Sequence, residues 1–332
     1  MANSVAYSPK EFKVAIAFED TVGTAETTGF ISLDVDSVGF PSLNPAQVLD
    51  VRTGGRVLKE ADFFQSNKGI IREISVSGNA WSNGVTPLLE NITSDTTSPY
   101  LISDTYSPVN VGHGDTSVAD FTETFTVAMV SPESNSSLIF AGCVCTAFSL
   151  NGDMGIDSGR VKFSATFKTG YKPALSATDP TISTLYSAGN QRYMTDWTAT
   201  KTVAGKSDCV VQSFTLNLEN DAVMLGFQGS NGDPEGIGRA SEFSASLDAQ
   251  IKYDANTEPL IASFETQSPS SSGILTELSN NATWGSATNF GIKLADGLMT
   301  NAAYSEGDIM MLDVSQKASA ASGGNLFEVI YS

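Results

Sequence analysis

The chain has 332 residues, 41% of them hydrophobic, with 37 acidic against 18 basic side chains and a formal net charge of −19. Phosphate binding needs clustered Lys and Arg, and no basic run occurs, so this composition argues against a nucleic-acid binder. The length suits two domains of roughly 150 residues, each large enough to bury a core without covalent staples.

The first ten residues hold no apolar run, so no signal peptide is expected. No stretch of about 18 apolar residues follows, so no membrane span is expected either. From Phe12 onward, period-2 alternation dominates. Phe12, Val14, Ile16 and Phe18 alternate with Lys13, Ala15, Ala17 and Glu19, and Ile31, Leu33 and Val35 with Ser32, Asp34 and Asp36. The same pattern runs through Val161–Phe167 and Phe243–Tyr253. One buried and one polar face per strand is the mark of antiparallel sheets. Further strands are expected near 70–77, 121–130, 138–150, 209–219, 288–294, 308–314 and 325–331.

Two short helices are expected. Thr86-Pro87-Leu88-Leu89 offers a capping Thr and a Pro suited to a first turn, and Thr257-Glu258-Pro259-Leu260 has the same form. The two prolines lie 172 residues apart, and each helix follows a strongly alternating strand. That spacing fits a duplicated domain. The 29 glycines, with long polar segments at 37–68, 93–118, 228–240 and 267–287, point to many turns and to arms ordered by neighbouring copies. The stretch Gly170–Pro180 carries turn residues and two prolines, so the linker is placed at about 172–190, between a first domain at 1–175 and a second at 190–332.

A second echo has another period. Cys143-Val144-Cys145-Thr146-Ala147-Phe148-Ser149-Leu150-Asn151 returns 66 residues later as Cys209-Val210-Val211-Gln212-Ser213-Phe214-Thr215-Leu216-Asn217. Such an offset is too short for a domain, and is read as similar hairpins packed at the domain junction. The three cysteines form no disulfide framework; reduced, packed thiols made in a cytoplasm are expected.

Chemistry is sparse. The sole histidine, His113, sits in a glycine-rich loop, and no paired Cys-x-x-Cys motif accompanies it, which argues against a common zinc site. Asn-Gly-Asp at 151–153 and 231–233 reads as turns, lacking the rest of a calcium loop. Asp34 and Asp36 could pose as paired carboxylates, but two such groups on a solvated strand face are common. No phosphate loop, dinucleotide fingerprint or nucleophile elbow is present. No enzyme activity and no cofactor are expected.

End to end, the chain resembles the tail tube proteins of long-tailed, siphovirus-type bacteriophages in their two-domain form. The resemblance rests on Ala17-Phe18-Glu19-Asp20-Thr21-Val22-Gly23-Thr24, on Gly54-Gly55-Arg56 followed by Ile74-Ser75-Val76-Ser77-Gly78, and on Phe140–Val144 with Phe148-Ser149-Leu150. Phe214–Asn220, the strand at 243–253 and Glu306–Leu312 extend it. It implies two tandem antiparallel β-sandwich or barrel domains, each with a flanking helix. It further implies homo-oligomeric rings stacked into a hollow tail tube of the virion, through which genome DNA leaves without specific binding. Tape-measure, tail-terminator and distal tail proteins are the implied partners. Glu73 and Asp248, on the polar faces of the strands before the helices, are the lumen-facing candidates of an acidic lining. Arg72, in step with Ile70 and Ile74, requires a partner carboxylate or an interface. Duplication favours a ring of three chains with pseudo-sixfold symmetry over one of six. The alternative reading is another β-rich assembly or binding protein, such as a capsid decoration protein, an adhesin or a carbohydrate-binding sandwich.

Overall fold

The computed structural model describes residues 7–43, 46–49, 63–66, 69–93, 98–103, 123–228, 232–239, 243–266, 273–285, 287–305, 309–319 and 325–332. Its first half contributes β1 (Lys13–Phe18), β2 (Phe30–Leu33), β3 (Val35–Gly39), β4 (Ala46–Leu49), β5 (Phe63–Ser66), β6 (Arg72–Asn79), α1 (Ser82–Thr93), β7 (Tyr100–Ser103), β8 (Phe125–Val130), β9 (Ser137–Asp153), β10 (Lys162–Thr169), β11 (Ala174–Ala177) and β12 (Ile182–Thr184). The second half adds β13 (Thr200–Thr202), β14 (Val211–Glu219), β15 (Ala222–Leu225), β16 (Gly236–Arg239), β17 (Ser244–Lys252), α2 (Pro259–Thr266), β18 (Ile274–Ser279), β19 (Phe290–Ser305), β20 (Met311–Lys317) and β21 (Asn325–Tyr331). The fold is mainly β, of the sandwich class expected.

A central antiparallel sheet of eight strands runs through both halves in the order β3-β6-β10-β9-β14-β17-β20-β19. Two outer sheets flank it. The first has the order β12-β2-β1-β8-β9-β11 and the second β13-β18-β19-β21-β7. The long strands β9 and β19 belong to two sheets each. Leu138–Cys143 of β9 pair with β8, and Val144–Asn151 pair with β10. Phe290–Gly297 and Leu298–Ser305 of β19 divide in the same way.

Alternation explains which face is dry. Phe163, Ala165 and Phe167 of β10, Phe214, Leu216 and Leu218 of β14, and Leu247, Ala249 and Ile251 of β17 are buried. They share one cluster with Val14, Ile16 and Met129 of the first outer sheet and with Leu278, Ile292 and Val329 of the second. Fully burying each large side chain contributes roughly 1.5–3 kcal/mol. β1 departs from simple alternation, because Val14 through Ala17 are all buried. The segment expected as a linker is the reason: its β11 pairs with β9, and its β12 pairs with β2 at the opposite edge. This strap covers Ala15, Ala17, Phe30 and Ala128, whose mostly small side chains leave room for it.

The expected strand at Ile31–Val35 is two strands. The chain leaves the outer sheet at Asp34 and enters the central sheet as β3. Gly78 permits the crossing, since a Cβ there would lie 1.9 Å from the Asp34 carbonyl. α1 begins at Ser82, four residues before the expected Thr86 cap, so Pro87 lies inside the helix. The Trp81 carbonyl accepts from the Gly84 and Val85 amides and starts the helix early. Pro87 forfeits only the bond to the carbonyl of exposed Asn83. α2 starts at Pro259 as expected. Thr257 ties the preceding turn, with its hydroxyl donating to the Lys252 carbonyl and accepting from the Asp254 amide.

The two halves repeat strand by strand, down to the irregularities. Val35 pairs with Gly78 and Ser37 with Ser77 across a bulge; Val211 pairs with Ile251 and Ser213 with Gln250 across the same bulge. On β9 the register with β10 slips at Thr146, and on β19 the register with β20 slips at Thr300. The slips on β8–β9 and β18–β19 also coincide, Phe125↔Cys143 matching Ile274↔Gly297. The hairpin β4–β5 lies between β3 and β6 as β15–β16 lies between β14 and β17. The short echo has a different origin: its copies fall on β9 and β14, which are direct neighbours, with Leu150 opposite Leu216.

The C-terminus locks the halves together. β7, from the first half, is the edge strand beside β21. The Tyr331 hydroxyl donates to the Ala80 carbonyl at 3.1 Å, and Thr86 donates to the Tyr331 carbonyl.

Two outcomes are expected in chemical denaturation. Leu216→Ala, which opens a cavity where the halves meet, lowers stability by about 2–5 kcal/mol in a single transition. Burial raises the pKa of the Cys143 thiol and the Tyr331 phenol. Both groups hold the folded state in their protonated forms. Their contribution is therefore full below about pH 8.5 and is lost as pH rises above it, the thiol titrating first in the unfolded chain. A stability–pH profile still climbing between pH 9 and 10.5 would contradict this.

Candidate functional site

The junction of the halves is a sheet edge satisfied by another sheet edge. Asp153 through Ala147 of β9 pair with Ser213 through Glu219 of β14. The ladder continues beyond both ends, with the Met154 amide donating to Gln212 at 2.8 Å and the Asn220 amide to Thr146 at 2.9 Å. Leu150 and Leu216, opposite each other, are both 0% exposed. Met194, in the turn before β13, closes over Gly152.

Each half has the edge that the other uses at this junction, and among the described residues both replicas are open. In the repeat, β3 stands where β14 stands and β19 where β9 stands. The matched registers put Phe40 at the position of Leu216 and Tyr304 at that of Leu150. Phe40 is 40% exposed and Tyr304 50%. A groove of about 640 Å³ lies along the open edge of β3, between Ser8–Phe12 and Val35–Val38. Phe12 meets Phe40 edge-on at 5.3 Å. Open edges of this kind are templates for pairing with another chain. They are the counterparts of β14 and β9, two different edges, so a contact that repeats the internal junction is head-to-tail.

The solvent face of the central sheet is built of small polar side chains. One row crosses six strands as Ser37, Ser77, Ser164, Ser149, Asn217 and Ser246, and the next runs through Asn79, Lys162, Asn151, Thr215, Asp248, Ser315 and Asn301. Glu73 and Asp248 are both exposed on this face. The structure does not bring them together, since they belong to different halves. Glu73 lies 3.6 Å from Lys168, whose ammonium also bonds Asp221 at 2.6 Å. That second bond is the main cause of the raised Lys168 pKa. Glu219, Asp153 and Asp313 add acid to the face; of its lysines, Lys162 lies beside Asp36 and Asp157 and Lys252 beside Asp254. This face is rich in hydroxyl and amide groups.

At one end of the central sheet, an apolar rim is exposed. Met154 and Ile156 follow β9, Val210 precedes β14, and Ile309 and Met310 precede β20. The hairpin β15–β16 leaves from the other end, where β14 finishes.

The remaining candidates have structural places. Arg72 is buried, and its Nη1 donates to the carbonyls of Ile70 and Tyr171 at 3.3 and 3.4 Å. A partner carboxylate or an interface was expected; the described contacts are these carbonyls, and desolvation lowers the guanidinium pKa. Asp34 accepts from the Asn79 amide at 2.8 Å, while Asp36 lies 3.6 Å from Lys162, so the two carboxylates are separately engaged. Asn151-Gly152-Asp153 ends β9 and is not a turn; the pairing with β14 holds it extended. Asp153 accepts from the Gly155 amide just beyond. Asn231 and His113 lie outside the described residues. All three cysteines are free and buried. Among the described residues, no group of three His, Cys, Asp or Glu could hold a metal ion, and no helix is long and apolar enough to cross a membrane.

Sequence reading missed Glu19, which follows β1 and is buried inside the protein. Its carboxylate accepts from the amides of Gly23 and Gly142 and the hydroxyls of Thr124 and Thr126. As the last polar residue of an alternating strand, it looked solvated.

A scan against protein-family models and a search of curated proteins found no match to the chain.

Glu73→Gln and Asp248→Asn are expected to leave stability within about 0.5 kcal/mol of the parent by thermal denaturation, because both carboxylates are exposed. A larger loss in either would mean that the face is built on those charges.

Proposed function

We propose that the protein is a structural subunit that closes into rings by edge-to-edge strand pairing and stacks into a hollow tube of the phage tail-tube type. One observation carries the reading: the chain already contains the contact. β9 and β14 join its halves, and the same two edges, β19 and β3, stand open at the ends of the same sheet with aromatic side chains where the junction has buried leucines. Pairing β19 of one copy with β3 of the next would repeat the internal junction. Closing the circle leaves no edge of the central sheet unpaired.

Both halves give four strands to the central sheet, which favours three copies with pseudo-sixfold symmetry over six copies with the second half outside. In such a ring the polar face lines the channel, since the apolar face is occupied by the outer sheets and helices. A lining rich in Ser, Thr and Asn, with its lysines paired or offset, gives DNA phosphates no cluster of free cations to bind. Passage of a genome without adhesion follows from that chemistry. The apolar rim at Met154, Ile156, Val210, Ile309 and Met310 is the natural stacking surface. The order and spacing of the segments that resemble tail tube proteins support placing the tube in a phage tail, beside tape-measure, tail-terminator and distal tail proteins.

Negative-stain images of the purified chain, at rising concentration and rising salt, test the reading. Rings or tubes are expected, with three chains per ring in top views. Salt should promote them by screening the acidic surface. Phe40→Asp or Tyr304→Asp should raise the concentration for assembly at least ~10-fold, the equivalent of ~1.4 kcal/mol per contact, with unchanged monomer melting. Monodisperse monomers under all conditions would overturn the proposal, and rings of six chains would overturn the trimer.

A further inference from the structure

We infer that the hairpin β4–β5 is a clasp that folds over β19 of the neighbouring copy and seals the ring junction on its channel side. The inference rests on the ring reading above and adds a second, separate contact to it.

The template is again internal. After β14 has paired with β9, the chain turns at Asn220-Asp221 and its hairpin β15–β16 folds back over the strand just paired. Ala222 and Met224 of β15 pack on Val144 of β9, with Ile237 of β16 beside them. Asp221 bonds Lys168 on the adjacent strand at 2.6 Å. The hairpin thus grips the same partner that β14 pairs with, and Val144, on the polar side of the sheet, is 0% exposed.

In the repeat, the positions of Val144 and Lys168 are held by Leu298 of β19 and Lys317 of β20, which are paired with one another as Val144 and Lys168 are. Leu298 is partly exposed and Lys317 is exposed. Among the described residues, the second half therefore carries the seat without the occupant. The occupant exists at the other end of the chain. β4–β5 follows β3 with the register of β15–β16: Ala46, Val48 and Phe64 stand at the positions of Ala222, Met224 and Ile237, and Val48 pairs with Phe64 as Met224 pairs with Ile237. Residues of matching apolar character hold all three positions. Ala46 follows Phe40 by six residues, as Ala222 follows Leu216, so once β3 of one copy pairs with β19 of another, β4–β5 reaches Leu298 of that same copy.

Cysteine cross-linking of the full chain under assembling conditions separates this contact from the ring itself. The native cysteines are buried and stay in place. The pair Phe40→Cys with Tyr304→Cys reports the edge junction, and the pair Val48→Cys with Leu298→Cys reports the clasp. Oxidised ladders of linked chains from both pairs are the expected result. Ladders from the first pair alone would overturn the clasp and leave the ring standing. Ladders from neither would overturn both. As a second measurement, Leu298→Asp should raise the assembly concentration at least ~10-fold with unchanged monomer melting; an unchanged assembly concentration would overturn the clasp.

Discussion

The constraint on which this structure turns is that the backbone of a strand has two sides, and both must be satisfied. An interior strand meets it with two neighbours. The last strand of a sheet cannot, and a protein must cover, shorten or pair it. Here the problem is solved inside the chain by joining two sheets of four strands edge to edge, along β9 and β14. The solution leaves the problem where it began, because a row of two repeats still has two ends.

Everything that holds the halves in one body serves that shared sheet. The long strands β9 and β19 carry it into the outer sheets, so the outer layers cannot slide over the central one without breaking continuous backbone. Thr146 and Thr300 mark the extra residue that lets each strand change sheets, a usual office of a bulge. Gly142, with φ of 60° and the Tyr171 ring against it, turns the first of them. β7 and the C-terminal strand cross the boundary in the opposite sense, so the two halves share an outer sheet as well as the central one.

Much of this could be read before the fold was known. Strand positions followed from alternation, since a half-buried sheet writes its burial into every second residue. The duplication followed from the two proline-bearing helix starts, although Pro87 proved to lie within its helix. The split at Asp34 escaped notice because the alternation of Ile31, Leu33 and Val35 continues across a change of sheet, and nothing local records which partner a strand takes. The strap at 174–184 hid for the opposite reason: its residues pair backbone to backbone and need little pattern of their own. The open edges were invisible in principle. Phe40 and Tyr304 are ordinary aromatic residues until the register aligns them with Leu216 and Leu150, and only pairing data provide that alignment. The cysteine echo, read as packed hairpins, lies on two adjacent strands whose residues face one core.

The unlike ends of the central sheet carry a consequence of their own. One end bears the apolar rim, and the hairpins leave from the other. Copies joined as the halves are joined would all point the same way around the circle, so a closed ring would have two faces that differ in chemistry. Stacking such rings, as proposed, would make a polar filament. Its two tips would differ, one presenting hairpins and the other a greasy rim, so a starter complex would need to match only one of them. Growth would then have a direction, and the tip that begins such a tube would be chemically distinct from the tip that ends it.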